Sequence, residues 1–146
     1  MRVVLQRVAR ASVDVDGQEV GAIGRGLLAL VGVARGDGPQ AAAHLAERTA
    51  QMRLFADQAG HFERSALETA AEVLVVSQFT LLGDTRKGRR PNFTEAAPAE
   101  VAAPLVALYA ERLRQMGLRV AAGRFGAHML VRLENDGPVT ILLEGR

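Results

Sequence analysis

The sequence predicts a single α/β domain in which a mixed β-sheet is packed by two main helices. Its 146 residues are a usual size for one domain, large enough to bury a core without disulfides. Four β segments come first along the chain, and two amphipathic segments at helical spacing are separated by further strands. No internal repeat, low-complexity tract or linker divides the chain, so residues 1–146 are predicted to form one domain.

The beginning of the chain is predicted to form four strands, at residues 2–9, 11–17, 18–24 and 27–33. Asp16-Gly17 is a typical two-residue hairpin turn and is expected to join the second strand to the third. The last of the four, LLALVGV, is apolar along its whole length, which is typical of a strand that is buried on both faces.

Start and stop signals predict two helices. The first begins near Pro39, with Asp37 as the capping residue, and continues through an alanine-rich run to about Met52. The second spans residues 98–116 and is expected to end at Gly117, because glycine readily adopts the left-handed conformation that follows many helices.

The middle of the chain is predicted to alternate between strand and loop. Residues 53–57 form a short strand, and residues 61–71 are mostly loop. Residues 72–82 begin as a β-branched strand that is interrupted by polar residues. The segment 83–95 is a long loop, and loops of this length within a compact domain are usually functional or mobile.

Near the end of the chain, Gly137-Pro138 separates two apolar segments that are predicted to be strands, at 131–135 and 139–144. Proline cannot donate a hydrogen bond to a sheet ladder, so the pair is expected to interrupt the sheet. The segment is either a simple turn or a constrained turn that contacts a ligand.

Composition limits the classes of protein to which this chain could belong. There is no cysteine, which excludes disulfides, thiolate metal sites and a cysteine nucleophile and suits a reducing compartment. Arginines interrupt the first ten residues, and the apolar run at 27–34 is shorter than the roughly 18 residues of a membrane helix. The protein is therefore predicted to be cytoplasmic, with no membrane partner.

The net charge is only +2, and Lys87 is the single lysine among 18 cationic residues. Four cations lie within TRKGRR at 85–90, in the long loop. Arginine presents a planar fork of donors that suits phosphate. This cluster is either solvated loop charge or a contact for phosphate or RNA.

Familiar catalytic motifs are missing, including the zinc-binding HExxH, the Walker loop and the nucleophile elbow. The features that remain are two polar interruptions of apolar strands, SQFT at 77–80 and NDGP at 135–138. Buried polar groups need partners, so each interruption is either satisfied within the fold or kept for a ligand. Thr80 could act as a nucleophile but has no local base, and backbone amides could instead stabilise an oxyanion.

The order of several blocks resembles the D-aminoacyl-tRNA deacylase family, in the branch with a Gly-cisPro motif. The blocks are QRVxRASVxVDG, GxxxxIGxGLLxLVGV, LVVSQFTL, DTxKGxRPxF and NDGPVT, and together they extend over nearly the whole chain. SQFT and GPVT in this order and context are specific, whereas either motif alone would be weak.

The resemblance implies a hydrolase that cleaves the ester between a D-amino acid and the 3′-terminal adenosine of tRNA, and that also removes glycine mischarged on tRNA. It implies a homodimer with active sites shared between subunits, and no cofactor or metal. It assigns the catalytic site to Ser77, Gln78, Phe79 and Thr80. It assigns substrate binding to Gly137 and Pro138 from the partner subunit, to Arg7, which holds them, and to Phe125, Gly126, Ala127 and Met129 beside the adenosine.

In this family, two carbonyls of the Gly-Pro motif are expected to accept the α-ammonium and leave no room for an L side chain. Glycine has no side chain to exclude and should pass this filter. The resemblance implies that the ribose 2′-hydroxyl helps to activate water, while amides at 78–80 stabilise the carbonyl oxygen. A covalent route through Thr80 is the competing mechanism.

Some residues depart from the family pattern: HFERS at 61–65 replaces KMNLS, and His128 occupies a position that is often acidic. These departures affect local contacts, whereas SQFT and Gly137-Pro138 are intact. Other functions stay open from the sequence, and one of them is a purely structural dimer subunit that neither binds nor cleaves RNA. Two more have a function of their own. One is a non-catalytic module that binds the 3′ end of RNA, and the other is an editing domain that removes L-amino acids.

Overall fold

The computed structural model describes residues 1–145 and contains a mixed β-sheet with helices packed on one face. The strands are β1 (Arg2–Val15), β2 (Gln18–Ile23), β3 (Gly26–Gly32), β4 (Phe55–Ala56), β5 (Phe62–Arg64), β6 (Glu72–Ser77), β7 (Val120–Ala122) and β8 (Leu130–Glu144). The helices are α1 (Pro39–Gln51), the short α2 (Ala66–Thr69) and α3 (Ala99–Gln115), and a 3₁₀ turn spans Phe79–Leu82. The predicted α/β class is confirmed.

Strand β1 organises the main sheet because it pairs with three other strands. β3 and β2 pair with it along one edge, and β8 pairs with it along the other, all in antiparallel orientation. β6 and β7 extend the sheet beyond β3 in parallel orientation, and β4 and β5 form a separate ribbon. The carboxyl ends of β3, β6 and β7 therefore meet at the same edge of the sheet.

The larger core lies between the sheet and helices α1 and α3. Leu27 and Val73 of the sheet pack in this core with Leu45 of α1 and Tyr109 of α3, and all four are fully buried. The Tyr109 hydroxyl lies 2.7 Å from Oγ1 of Thr49, so the buried hydroxyl has a partner. Burial raises the pKa of Tyr109 above its ordinary value, and the tyrosine therefore stays neutral.

A second core lies on the opposite face, where the sheet curls over itself. Val13 of β1, Ile23 of β2 and Leu74 of β6 are buried together there. Gly21 shows how closely β2 approaches β7, because a Cβ at this position would lie only 2.7 Å from the Ala122 carbonyl oxygen. Both faces of the central strands are thus buried, which explains the unbroken apolar sequence of β3.

Two predictions about strands are wrong in detail. The strands predicted at 2–9 and 11–17 are one continuous strand, β1. Gly137-Pro138 lies within β8 instead of between two strands, because β8 pairs with β1 on both sides of it, at Gln6↔Thr140 and Val8↔Asn135. The register shifts between these pairs, and this shift leaves the Gly-Pro segment out of the ladder.

The interpretation of residues 61–71 as mostly loop is also wrong, since this segment contains β5 and α2. Ser65 and Glu68 form a reciprocal capping box, a signal present in the sequence as S-x-x-E. Asp37 does not cap α1. Its carboxylate accepts a hydrogen bond from Ala34 N at 2.7 Å, and Gly38 is the N-cap residue. The predicted strand at 72–82 ends at residue 77, and a 3₁₀ turn follows.

Other local predictions are confirmed. Asp16 and Gly17 have φ of 51° and 77° and join β1 to β2 as a tight hairpin. Gly117 follows α3 with φ of 98°, and its N–H donates to the Arg114 carbonyl, while Leu118 N donates to Leu113 O. The short strand predicted at 53–57 is β4. Within residues 1–145, no helix has the length and hydropathy of a membrane span.

The close approach of β3 to β6 gives a prediction about stability. A Cβ at Gly26 would lie 1.8 Å from the Glu72 carbonyl oxygen, so Gly26→Ala must separate the two strands. We expect it to lower the free energy of unfolding by about 3 kcal/mol or more, as measured by urea denaturation.

Gly38→Ala is the matched control, because nothing lies within 4 Å of a Cβ at Gly38 and its φ is negative. Its cost should stay below about 1 kcal/mol, the usual difference between glycine and alanine at a helix N-cap. Equal losses in the two variants would contradict the packing argument.

Candidate active site

A cavity of about 480 Å³ opens at the carboxyl ends of the parallel strands β3 and β6. This edge of an α/β sheet is a common location for ligands. The walls come from the ends of these strands, the 3₁₀ turn, the beginning of α3 and residues 125–131. Most of the predicted site residues line the cavity, namely Ser77, Gln78, Phe79, Phe125, Gly126, Ala127 and Met129.

The SQFT segment places free backbone donors at the cavity. Ser77 is the last residue of β6, and Gln78 N donates to the Val31 carbonyl oxygen at 2.8 Å. The chain then enters the 3₁₀ turn, whose first amides have no partner within the turn. Within residues 1–145, no acceptor is hydrogen-bonded to the amides of Phe79 and Thr80. Of the amides at 78–80 that are expected to stabilise an oxyanion, the Gln78 amide is already bonded, so only those of Phe79 and Thr80 are free to do so.

Thr80 is exposed and does not belong to the cavity wall. Its hydroxyl accepts a hydrogen bond from Nε2 of Gln78. An amide donor cannot remove a proton from this hydroxyl, and among residues 1–145 no histidine or carboxylate is hydrogen-bonded to it. The hydroxyl proton is therefore free to be donated, but the geometry supplies no base to make Thr80 a nucleophile.

The opposite wall is a glycine-containing turn between β7 and β8. Ala127 N donates to the Arg124 carbonyl oxygen at 3.2 Å, and Gly126 between them has φ of 77°. Gly123 lies against Met129, because a Cβ there would approach the Met129 sulfur to 2.6 Å. The turn is thus packed against the end of the sheet, which fixes the position of the apolar side chains that line the cavity.

Arg7 forms a second cluster with the loop that contains Gly137 and Pro138. Its Nε donates to the Asp136 carbonyl oxygen at 2.8 Å, and its Nη1 donates to the Leu54 carbonyl oxygen at 2.7 Å. Its guanidinium carbon also lies 5.3 Å from the centre of the Phe62 ring. Arg7 therefore ties the loop to the β4–β5 ribbon, as a planar fork of donors is suited to do.

The side chain of Asn135 closes the same loop from within. Its Oδ1 accepts from Val139 N at 2.7 Å, and its Nδ2 donates to the Val139 carbonyl oxygen at 3.1 Å. The peptide bond between Gly137 and Pro138 is cis, and Gly137 has φ of 150°. Both residues are exposed. The Gly-Pro segment is thus held by side chains on either side of it while its own surface stays open.

Within one chain, the two groups of predicted residues do not meet. Arg7, Gly137 and Pro138 are absent from the cavity lining, which the SQFT segment and residues 125–129 share. Sequence reasoning also missed the wall formed by the start of α3, where Ala99 and Ala102 are small enough to leave the space open. Among residues 1–145, no three His, Asp or Glu side chains are grouped to hold a metal ion.

The fold and this cavity define an α/β protein with an open, largely apolar site at the carboxyl edge of its sheet. A family model described as D-Tyr-tRNA(Tyr) deacylase matches residues 4–144. A D-aminoacyl-tRNA deacylase of Roseiflexus castenholzii is 60% identical over 144 residues, which cover 99% of this chain and 92% of that protein. One from Mycobacterium tuberculosis is 55% identical over 148 residues, covering 99% of this chain and all of its own.

Solved structures share the fold of this chain. A structure named c-Myc DNA Unwinding Element Binding Protein has a TM-score of 0.94 and 41% identity, covering 100% of this chain and 99% of that one. A probable eukaryotic D-amino acid tRNA deacylase has the same fold, with a TM-score of 0.83 at 21% identity and 97% coverage of both chains. The chain belongs to the D-aminoacyl-tRNA deacylase family and is a hydrolase that acts on aminoacyl-tRNA.

Proposed function

We propose that the protein hydrolyses the ester between a D-amino acid and the 3′-terminal adenosine of tRNA, releasing both, and that it also removes glycine mischarged on tRNA. The cavity beside SQFT would hold the aminoacyl-adenosine. The observation that carries this proposal is the unpaired amide of Phe79, a residue of the apolar cavity wall, next to the unpaired amide of Thr80. The enzyme would act in the cytoplasm, where charged tRNA is used.

The proposed chiral filter is the Gly137-Pro138 segment of a second copy of the chain. Within residues 1–145 of one copy, these residues are exposed and line no part of the cavity, so they are available to another subunit. Their carbonyls would accept the α-ammonium and fill the space that an L side chain needs. Selection would then work by exclusion, and glycine would pass because it has no side chain.

A homodimer would bring the two motifs together. Strand β8 forms one edge of the main sheet and exposes large apolar side chains, with Leu130 53%, Leu133 36% and Leu142 56% exposed. Exposed apolar clusters and unpaired strand edges favour association. In an isologous C₂ pair, each subunit would lend its Gly-Pro segment to the partner and receive the same segment in return.

The proposed mechanism uses the substrate as well as the protein. Phe79 N and Thr80 N would donate to the ester carbonyl oxygen and stabilise the negative charge that develops as water attacks. The ribose 2′-hydroxyl, adjacent to the ester, would help to activate that water. The ester bond to the ribose 3′-oxygen then breaks, and this oxygen takes up a proton as the free amino acid leaves. The Thr80 hydroxyl would orient groups in the site without forming a covalent bond.

The main alternative is a module that binds the 3′ end of RNA without turnover. The exposed cations at 85–90 favour RNA binding, and the cavity could hold an adenosine. Such a module would bind tRNA in a salt-dependent manner and would leave the ester intact. Measurement of hydrolysis therefore separates it from the proposed enzyme.

The filter can be tested with Gly137→Ala in single-turnover assays on matched D- and L-tyrosyl-tRNA. The wild-type protein should hydrolyse only the D ester. A Cβ at Gly137 would lie 2.7 Å from Cγ2 of Val139, so the segment must move. We expect the ratio of D to L rates to fall at least about tenfold, which corresponds to losing roughly 1.4 kcal/mol of repulsion.

Gly36→Ala serves as the control for backbone strain. Gly36 has φ of 86° and nothing lies within 4 Å of a Cβ there, so the variant shares the strain without a local clash. Its D to L ratio should equal that of the wild type. Hydrolysis of both esters by the wild-type protein would refute exclusion, and hydrolysis of neither would favour the binding module.

The catalytic route can be tested with tRNA that ends in 2′-deoxyadenosine and carries a D-amino acid. If the 2′-hydroxyl assists, its loss should lower the single-turnover rate by at least about 100-fold, the usual contribution of a general acid or base. Thr80→Val on normal substrate should cost much less. The opposite pattern, with the deoxy substrate cleaved normally and Thr80→Val inactive, would instead support covalent catalysis by Thr80.

A further inference from the structure

We propose that the loop at 85–90 is a docking surface for the phosphates of the single-stranded 3′ end of tRNA. The proposal rests on the tRNA deacylase function above and adds the surface that would receive the rest of the substrate. It comes from the position of the loop, from the pairing of its charges and from the chemistry of a substrate whose reacting ester lies at the end of a polyanion.

The loop rises from the rim of the cavity. The chain leaves the cavity lining at Phe79 and returns to it at Ala97. Between these points, Asp84 and Asn92 exchange two backbone hydrogen bonds of 2.8 and 2.9 Å and close the base of the loop. The Phe93 ring packs edge-on against Phe79, with 5.1 Å between ring centres. The loop is therefore fixed to the cavity wall at its base.

The cations of the loop differ in their pairing. Nε and Nη2 of Arg86 donate to the two carboxylate oxygens of Asp84 at 2.9 and 2.7 Å. This hydrogen-bonded pair lowers the pKa of Asp84 to about 2, so the carboxylate stays charged and occupies Arg86. Within residues 1–145, no carboxylate forms an ion pair with Lys87, Arg89 or Arg90, and all three are exposed.

Several other arginines of the chain are neutralised by carboxylates. Ion pairs of 4.0 Å or less are formed by Arg2, Arg10, Arg53, Arg114, Arg119 and Arg132. Charge at the tip of the 85–90 loop is left unneutralised beside the cavity, close to where the polyanionic part of the substrate would lie. The guanidinium groups of Arg89 and Arg90 fit carboxylate or phosphate, and phosphate is the anion that the rest of the tRNA offers.

The reach of the loop suits the nucleotides next to the terminal adenosine. The tip at Gly88 lies four residues beyond Asp84, which allows a reach of at most about 14 Å from the base. Gly88 has φ of 71° with open space around it, so the chain reverses there without packing on the protein. The phosphates that precede the terminal adenosine are therefore the expected contacts, and base edges are not required.

The test compares Arg89→Gln/Arg90→Gln with the wild type in steady-state deacylation of D-tyrosyl-tRNA at several salt concentrations. Each phosphate contact to a single strand accounts for about 0.7 counterions released on binding, and this variant loses two such contacts. We therefore expect KM to rise about 25-fold at 0.1 M salt. The slope of log KM against log salt should fall by about 1.4. The value of kcat should not change, because no reacting atom contacts the loop.

Arg48→Gln/Arg112→Gln is the matched control, since it removes two cations from α1 and α3. Arg112 lies six residues beyond Val106, the last residue of α3 that lines the cavity, which is roughly 9 Å further along the helix. This variant should keep the wild-type KM and salt slope. An equal loss in the control pair would show that only net charge matters and would overturn the proposal.

A second substrate, D-tyrosyl-adenosine, lacks the phosphates and separates docking from damage to the cavity. The loop variant should hydrolyse it at the wild-type rate. A parallel loss on both substrates would mean that the loop merely supports the cavity, which refutes docking. If the wild-type protein cleaved neither substrate, the proposed function itself would fail, and this outcome is distinct from failure of the docking surface.

Discussion

The arrangement of the site depends on the antiparallel pairing of β1 with β8. The register of this pair shifts between Gln6↔Thr140 and Val8↔Asn135, so residues 136–139 have no place in the ladder. Arg7 stands at the position opposite this shift and donates to the Asp136 carbonyl oxygen. The register shift thus leaves the Gly-Pro segment of β8 without a partner in β1, and Arg7 of β1 supplies the side chain that holds it. Bulges commonly redirect a strand in this way near a functional site.

The proposed chemistry needs little from ionisable side chains. The cavity is lined mainly by apolar and small residues, and the amides of Phe79, in its wall, and of Thr80, next to it, have no hydrogen-bond partner among residues 1–145. Fixed amide dipoles of this kind stabilise developing charge without any proton transfer from the protein. The same lack of specific groups suits the proposed filter, which would reject L side chains without recognising D ones.

Much of the fold could be predicted from the spacing of apolar residues and from turn-forming residues, including the hairpin at Asp16-Gly17 and the end of α3 at Gly117. The S-x-x-E signal of the capping box at Ser65 and Glu68 is also present in the sequence, although residues 61–71 are predicted to be mostly loop. Long-range facts could not be read from the sequence. The bond of the Gln78 amide to Val31 depends on the parallel pairing of β3 and β6, and Ala99 and Ala102 form a wall only because the chain before α3 is held at the end of β3, where Ala97 N donates to the Val33 carbonyl oxygen.

The central claim, that the Gly-Pro segment of one subunit acts in the cavity of the other, is most directly tested with a purified heterodimer. One subunit carries Ala127→Phe, which obstructs its cavity, and the other carries Gly137→Ala. The single open cavity would then face an intact Gly-Pro segment, and the heterodimer should hydrolyse D-tyrosyl-tRNA but not the L ester. Hydrolysis of the L ester at the rate of the Gly137→Ala parent would show that the segment acts within its own subunit and would contradict the account.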